Sequence, residues 1–152
     1  MKNRFLLCSL TLALALPLGL LAQAPDAGKE KEPQTELGAK MEKVGGAFRA
    51  LRRQISDATK NADSLAKVAI IKENLTAASK FEPARKATVP QGEQAKFVAA
   101  FQAKLKDTLA DVEKLEAALK AGDNAAAAKL ADVVNEDQVD AHKNFKKGKK
   151  KG

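Results

Sequence analysis

Two side chains in this 152-residue sequence stand apart by chemistry. Met41 is the only methionine besides Met1, and His142 is the only histidine. A thioether sulfur is a soft, neutral donor. An imidazole nitrogen must be deprotonated to ligate, which an unperturbed pKa of about 6.5 allows at neutral pH. Set face to face, the two make the axial pair of a six-coordinate haem iron, with the sulfur favouring the reduced metal. A plainer reading stands beside this one. A methionine on an apolar stripe is commonly packing, and a lone histidine near a helix C-terminus is commonly a polar residue well placed against the helix dipole. The elements that carry the two residues bear on the choice.

Leu37, Met41, Val44, Phe48, Leu51 and Ile55 recur at alternating spacings of four and three, which predicts an amphipathic helix. Thr35 is its expected N-cap, without a capping box. Gly45 and Gly46 interrupt the stripe, either as tolerated residues or as a place where something flat approaches the backbone one turn past Met41. DATKNAD (57–63) reads as a turn. A second helix is expected from about Asp63 to Lys80, with Leu65, Val68, Ile71, Leu75 and Ala78 inward. Pro83 and Pro90 bracket a loop. A third helix is expected from about Gly92 to Ala121, with Phe97, Val98, Phe101, Leu105, Leu109, Val112, Leu115 and Leu119 inward and Gly122 as C-cap. The fourth starts with Asp123 or Asn124 as N-cap and turns Leu130, Val134, Gln138, Ala141 and Phe145 to one face.

Four single-stripe helices bury their stripes best as an all-α, antiparallel up-down-up-down four-helix bundle. That topology gathers the start of helix one, the end of two, the start of three and the end of four. Met41 and His142, about 100 residues apart in sequence, then share one end with Phe97 and Phe101.

The N-terminal stretch MKNRFLLCSLTLALALPLGLLAQA has a basic start, an apolar run and small residues after Pro17. It reads as a signal peptide over residues 1–22, or to 24, and implies export to the periplasm. Residues 23–35 read as a flexible spacer, 36–147 as the bundle and 148–152 as a disordered basic tail. No later segment is apolar enough for a transmembrane span. The formal charge is +8, and six lysines after His142 carry the whole excess of the mature chain. The only cysteine, Cys8, lies in the signal, so any haem would be held without thioether bonds.

MEKVGGAFRAL (41–51), KFVAAFQAKL (96–105) and LKAGDNAAAAKLADVVNEDQVDAHKNF (119–145) together resemble the soluble cytochrome b562 family, over essentially the whole mature domain. The resemblance implies one non-covalent haem b with Met41 and His142 as axial ligands. It also implies Phe97 and Phe101 lining the pocket, with Phe145 and Gln138 close by. The chain departs from the family in a longer first connection, in Gln138 where a basic residue is familiar, in Phe145 for a tyrosine, and in the lysine tail.

Catalysis is not expected. The mature chain has no Cys, no Ser-His-Asp set and no multi-ligand metal cluster, and a Met/His iron has no open position for substrate. One-electron transfer by a monomer, with an unidentified redox partner protein, is the expected function. The competing reading is a haem-free exported bundle that uses its lysine tail on anionic surfaces. Nucleic acid is a poor partner because the folded part is neutral and lacks stacking aromatics among its lysines.

Overall fold

The first and last helices of this protein start on side-chain caps, and one glycine ends the third. The computed structural model describes residues 35–146, so the expected signal peptide, the expected basic tail, residue 147 of the expected bundle and all of the expected spacer except Thr35 lie outside the described residues. α1 spans Glu36–Gln54 and opens on Thr35, whose Oγ1 accepts the Gly38 N–H at 3.0 Å. This satisfies one of the four donors that every helix start leaves open. Glu36 in the first turn and Arg52 and Arg53 in the last both complement the helix dipole.

The expected turn at 57–63 is shorter than the sequence suggests. Asp57 accepts from the Thr59 N–H at 2.9 Å and the Thr59 hydroxyl at 2.6 Å, which closes a 3₁₀ turn over Ala58–Lys60. α2 therefore starts at Asn61 and runs to Ala78, not from Asp63 to Lys80. The proline-bracketed connection is not featureless either, since it holds 3₁₀ turns at Ala84–Thr88 and Gln91–Glu93. α3 covers Gln94–Lys120, starting two residues later than expected. Gly122, with φ +74, reverses the chain after α3. There the Asp123 N–H reaches the Ala118 carbonyl at 2.9 Å and the Gly122 N–H reaches Leu119 at 3.1 Å, a Schellman closure. Asp123 then caps α4 (Asn124–Phe145) through the Ala126 N–H at 2.8 Å.

The four helices form an all-α bundle with the expected connectivity. α1 lies along α2, α3 along α4, and α2 against α3, whereas α1 and α4 have no comparable backbone contact. The bundle thus has one loose seam, between its first and last helices. Leu51, Val68, Ile71, Val112, Leu115 and Leu119 fill the core with almost no exposure. Truncating any one to Ala would cost about 2–5 kcal/mol if it is a leucine or isoleucine.

An amide clasp closes the end away from Met41 and His142. Asn124 Nδ2 donates to the Ile55 carbonyl at 2.6 Å and to Asn61 Oδ1 at 2.8 Å. Asn61 Nδ2 reaches Asn124 Oδ1 at 3.2 Å and the Leu119 carbonyl at 3.4 Å. The ends of α1 and α3 and the starts of α2 and α4 are tied by four hydrogen bonds.

Glu116 links α3 to α2, accepting from Lys72 Nζ at 2.7 Å and from Lys120 Nζ at 2.6 Å. The hydrogen bond from Lys120, then that from Lys72, holds its carboxyl below the ordinary 4.5. A depressed folded-state pKa contributes stability that is fully present above the unfolded value and is lost as pH falls through the folded one. Wild type should therefore exceed Glu116→Gln in unfolding free energy near neutrality, by about 1 kcal/mol at most for a partly solvated pair. Urea melts should show the gap closing below about pH 4.5. A gap that does not change with pH would contradict this assignment.

Candidate functional site

Arg52 fixes the register of α1 against α4. Its Nη1 donates to Asn135 Oδ1 and its Nη2 to Asp132 Oδ1, both at 3.1 Å. Met41 lies eleven residues back along α1, and His142 lies seven residues on from Asn135 in the antiparallel α4. At 1.5 Å per residue these steps are about 16 Å and about 10 Å in the same direction, so the two residues sit within roughly one helical turn of each other in height. Seven residues make almost two full turns, so His142 also shares the α1-facing stripe of Asn135. Met41 is partly buried and packs against the core. His142 is exposed. It stands beside the stripe of Val134, Gln138 and Ala141, at the rim of the loose seam.

Burial thins toward this end. On α1 the buried stripe begins at Val44, leaving Leu37 and Met41 partly covered. On α4 it stops at Val134, leaving Gln138, Ala141 and Phe145 partly covered. Val139, three residues before His142, is 46% exposed. Within α1, an added Cβ at Gly45 would meet only Arg49 Nη1 at 3.4 Å, and at Gly46 nothing within 4 Å. Gly45, one turn past Met41, is itself buried with the Arg49 guanidinium against it, so only Gly46 leaves open space on this stretch of α1. Donors of the right chemistry and partly covered apolar residues make a site that fits a flat, apolar, iron-bearing group.

The aromatic residues gather on the α3 side. Phe145 lies 5.3 Å from Phe97 and 5.4 Å from Phe101, centroid to centroid, in tilted and edge-on geometries. Such pairs contribute about 0.5–1.5 kcal/mol beyond area burial. Phe101 is buried, and Phe97 and Phe145 are half-buried. The structure thus joins three of the six expected site residues to one another and sets Met41, Gln138 and His142 along the facing stripes of α1 and α4. An open groove of about 390 Å³ is lined by Phe145 together with Ala100, Lys104, Asp107 and Asp140 among others.

The His142 imidazole has its pKa lowered, first by loss of hydration against the protein and second by the charge of Lys146. Both favour the neutral ring at neutral pH, with a free lone pair. The sequence reading missed Arg85. From the α2–α3 connection its Nη1 donates to the carbonyls of Lys143 at 3.1 Å and Asn144 at 2.5 Å. Its guanidinium carbon lies 6.0 Å from the Phe97 ring centroid. Nothing local signals such a contact across 58 residues, although an arginine in a proline-bracketed loop at the ligand end was a visible candidate.

Among the described residues, no group of three or more His, Cys, Asp or Glu could hold a metal ion, and no helix is long and apolar enough to cross a membrane. The architecture is that of an antiparallel four-helix bundle with its distinctive donors at one end. The family profile described as Cytochrome b562 matches residues 36–146, and the chain belongs to that family. The family is one of haem-binding electron carriers and not of enzymes. No curated protein and no solved structure matches the chain.

Proposed function

We propose that this protein is an exported, periplasmic b-type cytochrome that binds one non-covalent haem b through Met41 and His142 and passes single electrons to a partner protein. One observation carries the reading: a thioether and an imidazole share one end of the bundle, on the two helices that flank its loose seam. When bound, haem would supply one-electron redox chemistry, and Met41 and His142 are the residues that would hold its iron. Met41 would offer its sulfur from the partly buried stripe of α1. His142, held neutral, would offer a ring nitrogen from the last turn of α4. Phe97, Phe101 and Phe145 would wall the α3 side, and Gln138 would stand one turn before the histidine. Leu37, Val139 and Ala141 would lose water contact as the seam filled.

Haem that binds only the folded bundle must stabilise it by mass action, by about 4 kcal/mol at a free concentration 1,000 times its dissociation constant. Thermal unfolding with and without hemin tests this. For a domain of this length the midpoint should rise by roughly ten degrees or more. Equal midpoints would contradict specific binding and favour the haem-free bundle that acts through its lysine tail.

A further inference from the structure

We infer that Arg85 is a positioning residue for His142, an inference that rests on the proposed haem ligation. The last turn of α4 is the least supported part of the helix that carries a candidate ligand. Its final carbonyls have no partners within the helix, and its side chains are largely exposed. Arg85 meets that need from outside. One guanidinium nitrogen bonds the carbonyls of Lys143 and Asn144, the two residues that follow His142. A cation at a helix C-terminus is also favoured by the dipole. The same guanidinium lies over Phe97, which contacts Phe145 on the same turn of α4.

The platform beneath Arg85 is stiff. Pro83 is buried, its carbonyl accepts the Lys86 N–H at 2.9 Å, and the Thr88 hydroxyl donates to the Arg85 carbonyl at 2.8 Å. A short 3₁₀ turn between two prolines therefore presents one arginine to the end of a helix 58 residues away. Without that grip the last turn is free to fray, and the imidazole loses the fixed direction that ligation needs. Among the described residues Arg85 makes no hydrogen bond to the His142 ring, so its effect passes through the backbone of residues 143 and 144 and through Phe97.

The test uses the full chain with Arg85→Ala, Arg85→Lys and, as a structural control at the opposite end, Asn124→Ala. Each is titrated with hemin and its absorption spectrum recorded, and amide hydrogen exchange is followed at Lys146, whose N–H donates to the His142 carbonyl at 3.2 Å. Arg85→Ala should weaken haem binding on the order of tenfold, as expected for lost charged hydrogen bonds. At saturation it should show a raised high-spin fraction, and the Lys146 amide should exchange faster. Arg85→Lys, which keeps the charge but not the fork, should fall between it and wild type. Asn124→Ala should lower the melting temperature yet keep the wild-type spectrum at saturation. Wild-type affinity and spin state in Arg85→Ala would overturn this inference alone. A wild type that binds no hemin would overturn it together with the proposed ligation.

Discussion

Replacing His142 with alanine should abolish most of the haem affinity. The imidazole is the stronger of the two proposed ligands, and no second histidine exists to replace it. Loss of a partner that merely orients a metal ligand costs 10- to 100-fold in related settings, so loss of the ligand itself should cost on the order of a hundredfold or more, about 2.7 kcal/mol. The fold should barely respond. His142 is exposed, and the helix around it is held by Arg85 and by Phe145 packing that the substitution leaves in place. Equilibrium titration with hemin, alongside the melting curve of the haem-free variant, separates the two effects. Wild-type affinity in His142→Ala would return the residue to the plainer reading of a polar group at a helix end.

Met41 should behave differently. Met41→Ala removes the sulfur but leaves the imidazole, so haem should still bind, with one axial position open. The spectrum should shift toward high spin, and the reduction potential should fall because the thioether no longer favours the reduced iron. Alanine also removes packing from a partly buried position, at a cost toward or below the low end of the 2–5 kcal/mol typical of core methionines. Met41→Leu keeps most of that volume and removes only the donor, for less than about 1.5 kcal/mol. Both variants should therefore share the high-spin spectrum while differing in melting temperature. A low-spin spectrum in Met41→Leu would mean that sulfur is not the sixth ligand.

Much of this arrangement was legible in the residues. The α1 stripe from Leu37 to Ile55, the Thr35 cap and the left-handed Gly122 are local signals, written within one or two turns of chain, and each appears as expected. The bundle topology followed from stripe count and loop length. Other features were hidden for physical reasons. Ala127 and Ala131 are buried core positions of α4, but alanine carries too little apolar signal to stand out in an alanine-rich helix. The 3₁₀ turn at Ala58–Lys60 depends on Asp57 and Thr59 bonding locally, a pattern that was present in DAT but read as a plain turn. The Asn61–Asn124 clasp and the Arg85 grip join residues about 60 positions apart, and periodicity carries no trace of such pairs.

The site itself divides the same way. Residue type singled out Met41 and His142, and topology brought them to one end. The exposure of His142 was not readable. Its stripe lies about one position off the core-facing one, and whether that stripe is covered depends on how closely α1 and α4 approach. Those two helices are the one sequence-neighbour-free pair along the bundle's perimeter, with no short loop to draw them together. The seam stays loose toward Met41 and His142 for that reason, held by the amide clasp at the far end and by Arg52 on Asp132 and Asn135.

Ligation of one haem by Met41 and His142 is tested by the absorption spectrum of the purified full chain with one equivalent of hemin. Binding should saturate at one haem per chain, with a low-spin six-coordinate spectrum in the reduced state and release of the haem into acidified organic solvent because no thioether bond holds it. A spectrum that remains that of free hemin would rule out this ligation, as would a high-spin spectrum in the reduced wild-type protein.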